Sequence, residues 1–121
     1  MILPPHPIFV LGYATSLFAV VVLSLIPSPE IPGPEGSDKA LHLIAYGTIA
    51  FCGGLGFSSL DTRIMAASST FGVGIVLEFL QATWFERQGS IWDTVANGAG
   101  VCLGLACAGA VLVLAARWRA S

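Results

Sequence analysis

The sequence has 121 residues, of which 55% are hydrophobic and 10% are charged, and its mean hydropathy is +0.84. A soluble domain of this size needs a largely polar surface, so the composition argues against a soluble protein and indicates a single domain that has a lipid bilayer as its solvent. The formal net charge of −2 gives no basic surface, and we therefore predict no nucleic-acid partner.

The first predicted element is a membrane-spanning helix over residues 8–26, a stretch that contains no charged side chain. At about 1.5 Å per residue, this stretch can cross a hydrocarbon layer of roughly 30 Å. A signal peptide is the competing interpretation, but no basic residue precedes the apolar run, and the run ends Ile-Pro-Ser-Pro instead of in a small-residue cleavage site. We therefore predict a retained helix.

A loop rich in proline and glycine follows, and it ends the first helix because proline has no amide donor. The loop leads to Ser37, the predicted N-cap of a second span over about residues 40–57. Asp38 falls in the first turn, where the helix dipole favours a carboxylate.

Two more spans are predicted, over about residues 64–81 and 92–116, after a short polar turn and a polar hairpin. Gly100 and Gly104 form a G-x-x-x-G pattern, which lets span four pack closely on a neighbour. Short connections make the helices antiparallel neighbours. The sequence thus predicts an all-α, integral membrane four-helix bundle, formed by a single domain over residues 1–121.

The three cysteines lie in apolar segments without disulfide or metal-ligand spacing, so we predict that they are small core residues. The chain also has no H-x-x-x-H pattern, and we predict neither a metal site nor any other cofactor.

The predicted topology brings the polar residues of the loops and helix ends to one side of the membrane. Three basic side chains lie on the opposite side, against Lys39 and Arg87 on this one. The positive-inside rule then puts both termini in the cytoplasm and the polar side outward.

The candidate catalytic residues are Glu78, Asp93 and His42. A carboxylate at membrane depth is costly unless it has a partner, and it is a functional-site hypothesis by default. Histidine exchanges protons near neutral pH. Each residue also has a structural alternative. Glu78 could form an ion pair that locks the helices, and Asp93 could belong to a capping box that begins at Ser90. His42 could be an interfacial histidine beside a carboxylate.

Further polar side chains are predicted to bind substrate around these three, and an arginine in the hairpin is suited to grip a phosphate or carboxylate. The predicted substrate-binding residues are Arg87, Gln81, Asn97, Asp38, Tyr46, Lys39 and Ser90.

The order and spacing of these residues, with the glycines that follow, resemble those of the VanZ-like membrane proteins, a family named for a protein associated with resistance to the glycopeptide teicoplanin. The resemblance covers spans two to four. It implies a multi-pass protein of the bacterial inner membrane whose polar cluster lies on the outer face. Glycopeptide resistance does not follow from it for this chain.

Two functions remain open at this point. The first is a membrane enzyme that acts on a lipid-linked or cell-envelope substrate, by hydrolysis or transfer at a glycosidic or phosphate linkage. The alternative is a non-catalytic protein that recognises a lipid headgroup, a cell-wall precursor, a glycopeptide or a partner protein. A channel fits less well, since the polar cluster is confined to one leaflet unless the protein forms a homo-oligomer. Membrane lipids are partners in every case.

Overall fold

The computed structural model describes residues 6–26, 34, 36–84 and 90–121. Within these ranges the chain forms four α-helices and no strand: α1 Pro7–Leu25, α2 Ser37–Gly56, α3 Leu60–Trp84 and α4 Ile91–Ala120. The predicted all-α four-helix bundle is confirmed, and each helix bound lies within four residues of the predicted one.

Three of the helices, α1, α3 and α4, are long and apolar enough to cross a membrane. Their outer positions carry large apolar side chains, such as Phe18 with 71% and Phe79 with 66% of its surface exposed. Water would oppose such exposure, whereas lipid favours it. The chain is therefore a helical membrane protein.

Helix α2 is not among the three spanning candidates in the described chain, although the sequence predicts a span there. Its first two turns carry Asp38, Lys39 and His42, which lower its apolar character. It is also the helix that contacts each of the other three. A helix that packs against three neighbours can carry small and polar residues on the faces that they cover.

The start of α2 differs from the prediction. Gly36 precedes the helix with a φ of 89°, and Ser37 is the first helical residue. The Ser37 hydroxyl donates to the carbonyl of Pro34 at 2.7 Å and does not cap the helix. The prediction of Ser37 as N-cap is wrong, because the chain enters the helix through a left-handed residue, where glycine is favoured.

The closest helix pair is α2 and α4, which meet through glycines. A methyl group on Gly104 would collide with the carbonyl oxygen of Gly47, and one on Gly100 would collide with the carbonyl oxygen of Leu43. The two backbones are therefore in direct contact, as in other membrane helix pairs with small residues at the interface. This confirms the predicted role of the G-x-x-x-G pattern and identifies α2 as the neighbour.

The buried core lies beside this contact and consists of Tyr46, Ala50, Ala67 and Val101, from α2, α3 and α4. Helix α1 has no buried residue and packs on the outside of α2 and α3.

The cysteines only partly follow their prediction. Cys52 is half-buried and lies against Gly12 of α1. Cys102 and Cys107 are exposed on α4, so their placement in the core is wrong. Cysteine is apolar enough to face lipid, which is why hydropathy alone did not separate the two environments.

Candidate functional site

Three helices each bring one titratable side chain to the same end of the bundle. His42 comes from α2, Glu78 from α3 and Asp93 from α4, and their nitrogen and oxygen atoms lie within 4.8 Å of one another. We call these residues the polar triad. Glu78 and Asp93 are buried, and His42 is half-buried. All three lie within two turns of a helix end, so the triad sits close to one membrane surface.

The imidazole of His42 is held by two neighbours. Its Nδ1 lies 2.9 Å from Oδ1 of Asn97, a side chain that is 1% exposed. Its ring also stacks on Tyr46, with ring centroids 6.4 Å apart and an interplanar angle of 15°. Because both neighbours are buried, the ring has little freedom to turn away from the triad.

Tyr46 reaches this position because Gly74 leaves room for it. A methyl group on Gly74 would come within 2.8 Å of Cε1 of the tyrosine ring. Tyr46 is 3% exposed and belongs to the core, so it lies deeper than an interfacial anchor would. Its part in substrate binding stays a prediction.

On α3, Glu78 and Gln81 point to different neighbours. The carboxylate Oε1 of Glu78 lies 4.0 Å from Nδ1 of His42. The amide Nε2 of Gln81 instead donates to the carbonyl oxygen of Ser24 at 2.8 Å, on the last turn of α1. Gln81 therefore ties α1 to α3, and the predicted substrate contact of its amide is not tested.

The start of α4 separates the two roles that the sequence left open for Asp93. Ser90 is the N-cap, and its hydroxyl oxygen accepts from the backbone N–H of Trp92 at 3.2 Å. Among the hydrogen bonds of the described residues, none joins the Asp93 carboxylate to the Ser90 amide, so the second half of a capping box is not formed. The Asp93 side chain turns into the triad instead.

Oδ1 of Asp93 is buried and has no hydrogen-bond partner within the described part of the chain. Among the described residues, the cation paired with it is Nζ of Lys39, at 3.7 Å. This distance allows an ion pair but exceeds that of a hydrogen bond. The contacts of the Asp93 carboxylate therefore offset only part of the free-energy cost of removing it from water.

Lys39 links the triad to the surface. Its Nζ lies 3.2 Å from Oδ2 of Asp38, and both side chains are more than 40% exposed. This hydrogen bond lowers the pKa of Asp38 and raises the pKa of Lys39. Lys39 thus places a positive charge at the rim of the site, between an exposed carboxylate and a buried one.

A shallow apolar groove runs between α2 and α4 and begins at Leu43, the residue after His42. Leu43, which follows His42, and Gly100, one turn after Asn97, lie at its upper end. The groove continues down the two helices past Gly47, Thr48, Phe51 and Leu103. The groove was not predicted from the sequence, although the glycines on both helices are the signal that produces it.

The structure thus brings together most of the residues that the sequence assigns to the site, and one cannot be placed. Arg87 lies outside the described residues. His42, Glu78, Asp93, Asn97, Lys39 and Asp38 meet at one end of the bundle.

The fold and the site define a helical membrane protein with a histidine and two carboxylates enclosed near one membrane surface. Comparisons with protein-family models, with curated proteins and with solved structures found no match to this chain. The resemblance to VanZ-like proteins therefore stays a prediction, and function is argued from the site itself.

Proposed function

We propose that the protein is a membrane enzyme that acts on a lipid-linked or cell-envelope substrate, by hydrolysis or transfer at a phosphate or glycosidic linkage. The observation that carries the proposal is the polar triad, in which three helices hold a histidine and two carboxylates within 4.8 Å of one another. Ionisable groups at membrane depth are rare and mark functional sites by default.

The triad suits acid–base chemistry. Glu78 and Asp93 divide the roles of general acid or base and of nucleophile or electrostatic stabiliser, and His42 relays protons between them and the substrate. Separations of this size allow proton transfer through one intervening water molecule. Asn97 is a positioning residue, because its amide oxygen fixes the imidazole ring.

The positive charge of Lys39 at the rim of the site would attract an anionic group of the substrate. The Lys39 side chain is 42% exposed and can turn from its carboxylate partners to a phosphate. The Arg87 guanidinium is proposed to share this role on the sequence argument alone. A phosphate held here lies next to the triad, which is where acid–base groups would act on it.

The apolar groove supports a lipid-linked substrate. It begins at Leu43, next to His42 in the chain, and runs along α2 and α4 toward the middle of the bundle. A hydrocarbon chain in the groove would keep a headgroup at the level of the triad. The charge bias and the resemblance together favour the outer leaflet of the bacterial inner membrane, with both termini in the cytoplasm.

The runner-up is a non-catalytic protein that recognises a headgroup or cell-wall precursor. Its supporting observation is that several site residues already contact one another, in the Lys39–Asp38 pair and in the contact between His42 and Asn97. In that case the same groups would bind the ligand without changing it.

The test is incubation of purified protein in detergent with a bacterial lipid and envelope-precursor extract, followed by mass spectrometry. We expect a product with the wild type and none with Glu78→Gln. The matched control is Asp61→Asn, which makes the same chemical change at the exposed opposite end of α3 and should leave turnover intact. An unchanged extract together with a co-purifying lipid would favour the non-catalytic binding protein over the enzyme. Equal turnover by wild type and Glu78→Gln would overturn the assignment of Glu78.

A further inference from the structure

We propose that His42, Glu78 and Asp93 form a binding site for one divalent transition-metal cation. Each residue offers one ligand atom, and the three atoms lie within 4.8 Å of one another. Because they come from α2, α3 and α4, a cation here would also join three helices. The inference does not depend on the reaction proposed above, since it concerns binding alone.

The separations are close to those that a bound cation requires. Nitrogen and oxygen ligands lie about 2.0–2.2 Å from a zinc ion, so two ligands of a tetrahedral site are roughly 3.4 Å apart. Binding of an ion would therefore draw the ligand atoms of the triad together by about 1 Å, a movement that side-chain rotation can supply.

The donor set matches the preferences of first-row metals. One imidazole with two carboxylates suits Zn²⁺ and Mn²⁺, whereas Mg²⁺ favours oxygen ligands alone. The amide oxygen of Asn97 contacts Nδ1 of His42 and restrains the ring, as outer-shell partners of metal-bound histidines do.

A second and independent observation comes from Asp93. The residue is 8% exposed, and its Oδ1 atom has no hydrogen-bond partner within the described part of the chain. The Nζ atom of Lys39 stays 3.7 Å away. A buried carboxylate oxygen that lacks a hydrogen bond is costly, and a cation bound to it would remove that cost.

The charge of this end of the bundle also favours a cation. Among the described residues it holds three carboxylates, those of Asp38, Glu78 and Asp93, and one lysine, Lys39. The Nζ atom of Lys39 lies beside Asp93, and its partly exposed side chain can turn toward water. Lys39 therefore competes with the cation for Asp93, and removal of the lysine charge should tighten cation binding.

A cation at this site would supply a Lewis acid and lower the pKa of a water molecule bound to it. With a cation bound, His42, Glu78 and Asp93 would serve as its ligands in place of the acid–base and relay roles proposed above. Sequence spacing predicts no such site, because the three ligands are far apart along the chain and only the packing of the helices unites them.

The experiment is a titration of the purified, chelator-treated full chain in uncharged detergent with Mn²⁺. The free ion is followed by electron paramagnetic resonance, and bound Mn²⁺ is then displaced with Zn²⁺. Mn²⁺ is the probe because it binds thiols weakly, so the three cysteines do not contribute. We expect saturable binding of one ion per chain, weakened at least tenfold by His42→Ala and by the isosteric Asp93→Asn.

The matched controls are His6→Ala and Asp61→Asn, both exposed at the opposite end of the bundle, and they should bind as the wild type does. Lys39→Met should bind the ion severalfold more tightly, a gain that misfolding cannot produce. The absence of saturable binding by the wild type would overturn the proposal, as would binding that Asp93→Asn and His42→Ala leave unchanged. Because no turnover is measured, failure here is distinct from failure of the proposed reaction.

Discussion

The contact between α2 and α4 gives the sharpest prediction, for Gly100→Ala. The new methyl group would collide with the carbonyl oxygen of Leu43, the residue that follows His42. To restore an ordinary carbon–oxygen contact of roughly 3.3 Å, the two helices must separate by about 1 Å at this level. Overpacking of this kind lowers the free energy of unfolding by about 1–3 kcal/mol.

The same displacement reaches the site. Asn97 lies one turn before Gly100, and its Oδ1 is 2.9 Å from Nδ1 of His42. A separation that grows by about 1 Å exceeds the roughly 3.2 Å limit of a hydrogen bond to nitrogen. Gly100→Ala should therefore lose stability and the function of the triad together.

The assay is unfolding by increasing dodecyl sulfate, followed by circular dichroism, with Mn²⁺ binding measured on the same samples. The matched control is Gly109→Ala on the same helix, since a methyl group there would meet nothing within 4 Å. We expect a lower midpoint for Gly100→Ala and an unchanged or higher one for the control, because alanine is the better helix former. A wild-type midpoint for Gly100→Ala would refute the backbone contact between α2 and α4.

Two further predictions concern the groove and the attachment of α1. Leu103→Trp should fill the groove and raise the KM for a lipid-linked substrate severalfold. The control, Val113→Trp, lies at a similarly exposed position on the same helix and should leave the KM unchanged. Equal KM values for the two variants would exclude the groove as the lipid site. Gln81→Leu removes the hydrogen bond to the end of α1 and should lower the unfolding free energy by about 1 kcal/mol. Limited proteolysis should show faster cleavage near the end of α1, and unchanged stability and cleavage would contradict this role.

Much of the fold follows from hydropathy, because apolar runs of sufficient length have few alternatives to membrane-embedded helices. The convergence of the triad follows in turn from short connections, which make successive helices antiparallel. This is why residues as distant in sequence as His42 and Asp93 could be assigned to one end of the bundle before their contacts were known.

Other features depend on contacts that the sequence does not encode locally. Glu78 and Gln81 are one turn apart, yet the first faces His42 and the second bonds to α1, and only the positions of both neighbours decide this. The N-cap of α2 was missed because a left-handed glycine replaced the expected serine cap. The triad was not predicted as a ligand set because metal-site patterns rely on close spacing within one segment.

We expect His42 to act together with Glu78 and Asp93, and the chain allows a direct test because it contains two histidines. His42 lies in the triad, and His6 lies exposed at the other end of the bundle. With the product found by mass spectrometry as the readout, His42→Gln should lower turnover by about 100-fold or more. His6→Gln should retain it. Wild-type turnover by a folded His42→Gln protein would contradict the account.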